Sequence, residues 1–135
     1  MKKTVFALAS LLAFVLSACG SGVNEITIVE KEFSFTPSSI TVKAGEPVRL
    51  TLQNQGAVEH DFVVEQVSIS NMNVVQGNAH DHGSGTTYDL HVSTDPERES
   101  IIEFTVTEPG TYRIFCSVAG HVEGGMVGEL IVVVE

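Results

Sequence analysis

Apolar and polar residues alternate through most of this chain, and that period of two limits it to sheets. Val48, Leu50 and Leu52 alternate with Arg49, Thr51 and Gln53; Ile102, Phe104 and Val106 alternate with Ile101, Glu103 and Thr105. Such stretches turn one face to a core and the other to solvent, as half-buried strands do. Turn-forming residues divide them: Ala44-Gly45-Glu46, Asn54-Gln55-Gly56 and Glu108-Pro109-Gly110, the last in the order a type II turn takes. Candidate strands fall near residues 25–30, 33–36, 39–43, 47–53, 61–66, 88–93, 100–106, 111–116 and 127–134. Strands this short and numerous predict an all-β chain, an antiparallel sandwich with Greek-key connections. The expectation is about eight strands and one long irregular flap, residues 68–87, which is rich in Asn, Gly, His and Ser.

Residues 1–18 stand apart from that domain. Lys2 and Lys3 precede a nearly unbroken apolar run over 5–16, too short to span a bilayer comfortably, which reads as a signal peptide. It ends in Leu16-Ser17-Ala18-Cys19-Gly20, which resembles the lipobox of bacterial lipoproteins. That resemblance implies cleavage before Cys19, acylation of its thiol and a lipid anchor on an exported protein, at the outer face of the cell membrane or in the periplasm. An ordinary secretory peptide with an incidental cysteine is the competing reading. Residues 19–24 then form a tether and 25–135 the folded domain. Removing 18 of the 135 residues leaves 117, enough for one core.

The formal charge is −10, and −12 once Lys2 and Lys3 are gone. This argues against a nucleic-acid partner and suits a partner with a basic docking face, although acidity also serves solubility alone.

With Cys19 lipidated, Cys116 is the one remaining cysteine of two, so no disulfide framework accounts for it. It opens Cys116-Ser117-Val118-Ala119-Gly120-His121-Val122-Glu123-Gly124-Gly125-Met126, in which four residues separate Cys from His and four separate His from Met. Thiolate, imidazole and thioether make a soft set suited to copper moving between Cu(I) and Cu(II), and one more imidazole completes a trigonal plane. Parity points Cys116 inward with Tyr112 and Ile114, and His60 inward with Phe62 and Val64. Each residue alone has a plainer role, as buried thiol, core filler or surface imidazole.

Residues Pro109 to Cys116, continuing through Gly120-His121 to Gly125-Met126, resemble the ligand loop of the blue-copper cupredoxins. Asn54-Gln55-Gly56 with His60-Asp61-Phe62 resembles that family's first-histidine segment. The four-then-four spacing is most similar to auracyanin, rusticyanin and sulfocyanin. The resemblance implies a mononuclear copper with His60, Cys116 and His121 in its plane, Met126 as a weak axial ligand and the Glu59 carbonyl opposite. It implies a one-electron carrier, not an enzyme, exchanging electrons with redox proteins such as cytochromes or oxidases and acting as a monomer. A dinuclear centre needs a second cysteine in this loop, and none is there. One departure concerns Asp61: the family often has asparagine there, whose amide ties the ligand loops together, and an ionised aspartate cannot donate.

The alternative function is copper binding and delivery, with His80-Asp81-His82 as an accessory metal site; a solvated loop is the plainer reading of those residues. His91, between Leu90 and Val92, is expected to point outward, or to join that pair if the flap folds back. Val118 and Val122, flanking His121, form the expected docking patch.

Overall fold

The alternation becomes two five-stranded sheets packed face to face. The computed structural model describes residues 22–77 and 88–134. The expected signal segment, Cys19, His80 and His82 lie outside those residues. The strands are β1 (Asn24–Lys31), β2 (Ser34–Thr36), β3 (Ser39–Lys43), β4 (Pro47–Asn54), β5 (His60–Val64), β6 (Ile69–Gln76), β7 (Leu90–Thr94), β8 (Glu99–Val106), β9 (Gly110–Phe115) and β10 (Val127–Val133). One sheet runs β2-β1-β4-β8-β6 and the other β3-β10-β9-β5-β7. The chain changes sheet after β2 and after each strand from β3 to β8.

Three expectations are corrected. The described residues hold ten strands, not about eight. Residues 69–76, expected as flap, form β6 at the edge of its sheet, against β8. Register shifts interrupt that pairing between Ser70 and Asn73 and again between Val74 and Gln76, and most of its side chains are exposed. An edge strand with bulges has no continuous core face, so it leaves no period-two pattern to read. Finally, the sandwich is not wholly antiparallel. β1 runs parallel to β4 and β3 parallel to β10, because a chain that crosses between sheets is free of the hairpin that enforces antiparallel neighbours.

The inward rows meet in one core that includes Ile28, Leu50, Leu52, Phe62, Ile102, Phe104 and Leu130. Phe35 and Phe62 meet edge to face at 6.1 Å. In β1 the inward row is Ile26, Ile28 and then Glu30, a carboxyl with no solvent exposure. Fully buried acids are rare unless paired, which marks this end of the sandwich as chemically special.

Candidate metal centre

His60 opens β5, Cys116 follows the last residue of β9, and Met126 precedes the first residue of β10. Val63 of β5 pairs with Phe115 of β9. This adjacency, which periodicity alone cannot supply, brings the first histidine beside the cysteine. His121 lies on the turn between β9 and β10, a fold secured by His121 N–H to Val118 O (3.0 Å), Gly124 N–H to Gly120 O (3.0 Å) and Met126 N–H to His121 O (2.8 Å). The Cys116 amide donates to Met126 O at 3.2 Å, so the two ends of the loop are stitched together.

His60, Cys116 and His121 converge. Their ligand atoms lie within 4.8 Å of one another and all three residues are buried. His121 Nδ1 is 3.3 Å from His60 Nδ1 and 3.3 Å from Cys116 Sγ. Burial, with His121 alongside, lowers the proton affinity of His60, so its imidazole is neutral and ready to ligate. Burial also pushes the Cys116 thiol up, against the pull of N–H groups of Asp61 and Val118 on the sulfur; the Asp61 N–H stands 3.3 Å away. Two imidazoles and a thiol at this spacing fit a soft or borderline cation such as copper, whose charge replaces the thiol proton. Met126 is fully buried in the core cluster next to this triangle, held by the backbone bonds to Cys116 and His121.

Close packing around His60 explains a glycine. A Cβ at Gly56 would lie 2.6 Å from His60 Nε2 and 2.7 Å from Glu32 Oε1, so only glycine admits both side chains. Asn54 braces the same segment, donating to Val58 O and Thr94 O at 2.8 Å each and accepting from Gly56 N–H.

Asp61 does tie the ligand segments together, with the direction of donation reversed. Its carboxylate accepts from Ser117, next to Cys116, and from Ser93 on β7 at 2.6 Å. Burial opposes its ionisation, but bonds from His91, Ser117 and Ser93 outweigh it and hold the carboxyl at about 2. His91 points to the outer side of its sheet, as expected, but is nearly covered, with Nε2 3.5 Å from Asp61 Oδ2 and its ring at right angles to Tyr88.

Val118 and Val122 are both half-buried, and Val118 packs against the core. Phe33, at 49% exposure, and Val58, at 43%, are the more open apolar side chains near the histidines. Phe33 lies edge-on to His121 at 5.5 Å. Residues missed from sequence are thus Phe33, Glu32, Ser93, Ser117 and Glu30. The last had a legible signal, since a carboxylate in phase with Ile26 and Ile28 must point inward. Burial raises the Glu30 carboxyl to about 8, a nearby Thr94 hydroxyl working against that and the Asp61 charge adding to it. Neither Glu30 oxygen has a hydrogen-bond partner of good geometry among the described residues.

The profile of the cupredoxin-like domain matches residues 4–83, a span that includes His60 and stops before Cys116. The copper-resistant cuproprotein CopI of Rubrivivax gelatinosus is 29% identical over 106 residues, covering 78% of this chain. The chain spans 63% of that relative's length. Plastocyanin A/B of Petroselinum crispum is 32% identical over 101 residues, covering 73% of this chain and 86% of that one. The crystal structure of an auracyanin from Roseiflexus castenholzii superposes with a TM-score of 0.62 at 22% identity, over 83% of this chain and 99% of that one. A multicopper oxidase of Aquifex aeolicus has the same TM-score at 13% identity, over 82% of this chain but 29% of the oxidase. Both structural likenesses speak for the fold. With the family profile spanning more than half its length and a plastocyanin 32% identical to it, this chain belongs to the cupredoxin-like family.

Proposed function

We propose that this protein is a one-electron carrier with a mononuclear type 1 copper centre, held by His60, Cys116 and His121 with Met126 as axial ligand. The observation that carries the reading is the buried triangle of two imidazoles and one thiol within 4.8 Å. When bound, copper supplies a Cu(I)/Cu(II) couple. The chain's own part is to keep the ligands rigid and dry, so that little rearranges when the charge changes. His121, at 7% exposure, is almost closed to solvent, which favours electron passage over substrate binding and hence a carrier over an enzyme. The carrier exchanges electrons with basic-faced redox proteins, cytochromes or oxidases, as an exported, lipid-anchored monomer; the acidic balance and the Cys19 segment support this.

A second reading has its own support, in a relative named for copper resistance. In it the same site holds copper for transfer, with His80 and His82 as an accessory site.

The deciding experiment is a visible spectrum of the copper-loaded, oxidised protein. An intense thiolate-to-copper band is expected, and Cys116→Ser should abolish it while circular dichroism still reports the sandwich. A wild-type protein that binds copper without that band overturns the type 1 assignment. Cycling through repeated reduction and oxidation without metal loss supports the carrier; stoichiometric release to an acceptor on reduction supports delivery.

A further inference from the structure

The turn from β1 to β2, residues 31–34, belongs to the sheet that contributes no metal ligand, yet it touches both ligand segments. Phe33 adopts φ +66°, an uncommon conformation for a bulky residue, sustained only where surroundings demand it. Its ring lies on the far ligand loop. A Cβ at Gly124 would fall 2.1 Å from the ring, and His121 stands edge-on at 5.5 Å. The adjacent Glu32 reaches the other way. Its carboxylate accepts from the Ala57 N–H and lies beside Gly56, on the side where His60 Nε2 also approaches. The Gln55 N–H adds a bond of 2.9 Å to Glu30 O. One two-residue turn therefore joins the His60 segment to the His121 loop across the mouth of the site.

We propose that this turn is the retaining strap of the metal centre. Phe33 and Glu32 are positioning residues, not ligands: they hold the two histidine segments closed and set how fast the metal leaves. Phe33 is half exposed and in T-shaped contact with the nearly closed-off His121, so its ring covers part of that ligand's approach from water. Gly124 is the seat that its ring needs. The proposal rests on the copper reading of this site, and deepens it by assigning metal retention to residues outside the ligand set.

The test loads the full protein with Cu(I) and follows extraction by excess chromophoric Cu(I) chelator. Phe33→Ala should release copper about tenfold faster, the ratio that loss of an edge-to-face ring contact supports. Gly124→Ala, which displaces the ring, should act in the same direction, and Phe33→Tyr should keep the wild-type rate. The oxidised Phe33→Ala protein should retain the visible band. Equal extraction from Phe33→Ala and wild type, with the band intact, overturns the strap and leaves the copper assignment standing. Hydrogen exchange of the metal-free protein reads the strap without copper. Amides at 56–58 and 117–125 should exchange faster in Phe33→Ala, and unchanged protection there also overturns it.

Discussion

The Ser117 hydroxyl donates to the Asp61 carboxylate, and this bond joins the residue after the first histidine to the residue after the cysteine. A short donor on the Cys116 loop and an ionised acceptor at the start of β5 thus make the tie between ligand segments expected of an amide at position 61. Because Asp61 is buried and Ser93 also donates to it, the carboxylate keeps its charge among fixed dipoles.

Ser117→Ala should lower the stability of the metal-free protein by about 1.5–3 kcal/mol, the range for a hydrogen bond to a charged group. Asp61→Ala should cost more, since it strands Ser93 and Ser117 together, and Asp61→Asn should fall between. Urea unfolding checks the order. Indifference of Ser117→Ala would show that the bond is geometric only.

Glu30 makes the metal-free protein lose stability as pH rises from acid to neutral. Its folded value is raised to about 8 from the ordinary carboxylate range near 4.5. The unfolded chain therefore releases this proton first as pH rises, and stability falls between about 4.5 and about 8, then levels. The loss is on the order of 5 kcal/mol in all. Glu30→Gln removes the titration, so the melting temperature of the variant minus that of wild type should climb from pH 5 to pH 8. A flat difference would mean that Glu30 is already ionised or solvated.

Copper stoichiometry separates the two functional readings at His80-Asp81-His82. After loading and desalting, one tightly held copper is expected if His80 and His82 are solvated. A second equivalent that disappears in the His80→Ala, His82→Ala double variant would favour delivery.

For Cys19 the measurement is intact mass of the membrane fraction. An acyl-modified chain beginning at residue 19 is expected, and Cys19→Ala should leave precursor or released protein. A wild-type mass without acyl groups removes the anchor from the proposal.

How much could be read beforehand depended on whether a residue's neighbours were local. Leu50 and Phe104 declare their strands because each alternates with polar residues along its own chain. Cys116, His121 and Met126 lie within eleven consecutive residues, so their grouping needed no tertiary knowledge. The pairing of β5 with β9 needed it, and so did the neighbours of Asp61, which come from β7 and the far ligand loop. The sequence pattern opens a strand at Phe33; its actual place follows from a backbone turn and from a glycine ninety-one positions later. The edge strand β6 was missed for the opposite reason, since nothing covers enough of it to impose a pattern.

The position of β10 bears on when the site can exist. It is the last of the described strands but sits inside its sheet, with β3 on one side and β9 on the other. Pairings so distant along the chain form late, after the entropy of closing a long loop has been overcome. A chain emerging N-terminus first, from a ribosome or an export channel, can assemble β1 and β4 early but has nothing to set between β3 and β9. Until Val127–Val133 arrives, Cys116 has no closed loop and Met126 has no anchor. The ligand sheet is therefore completed only once Val127–Val133 has docked, so a metal held here would be acquired in the compartment where that docking takes place.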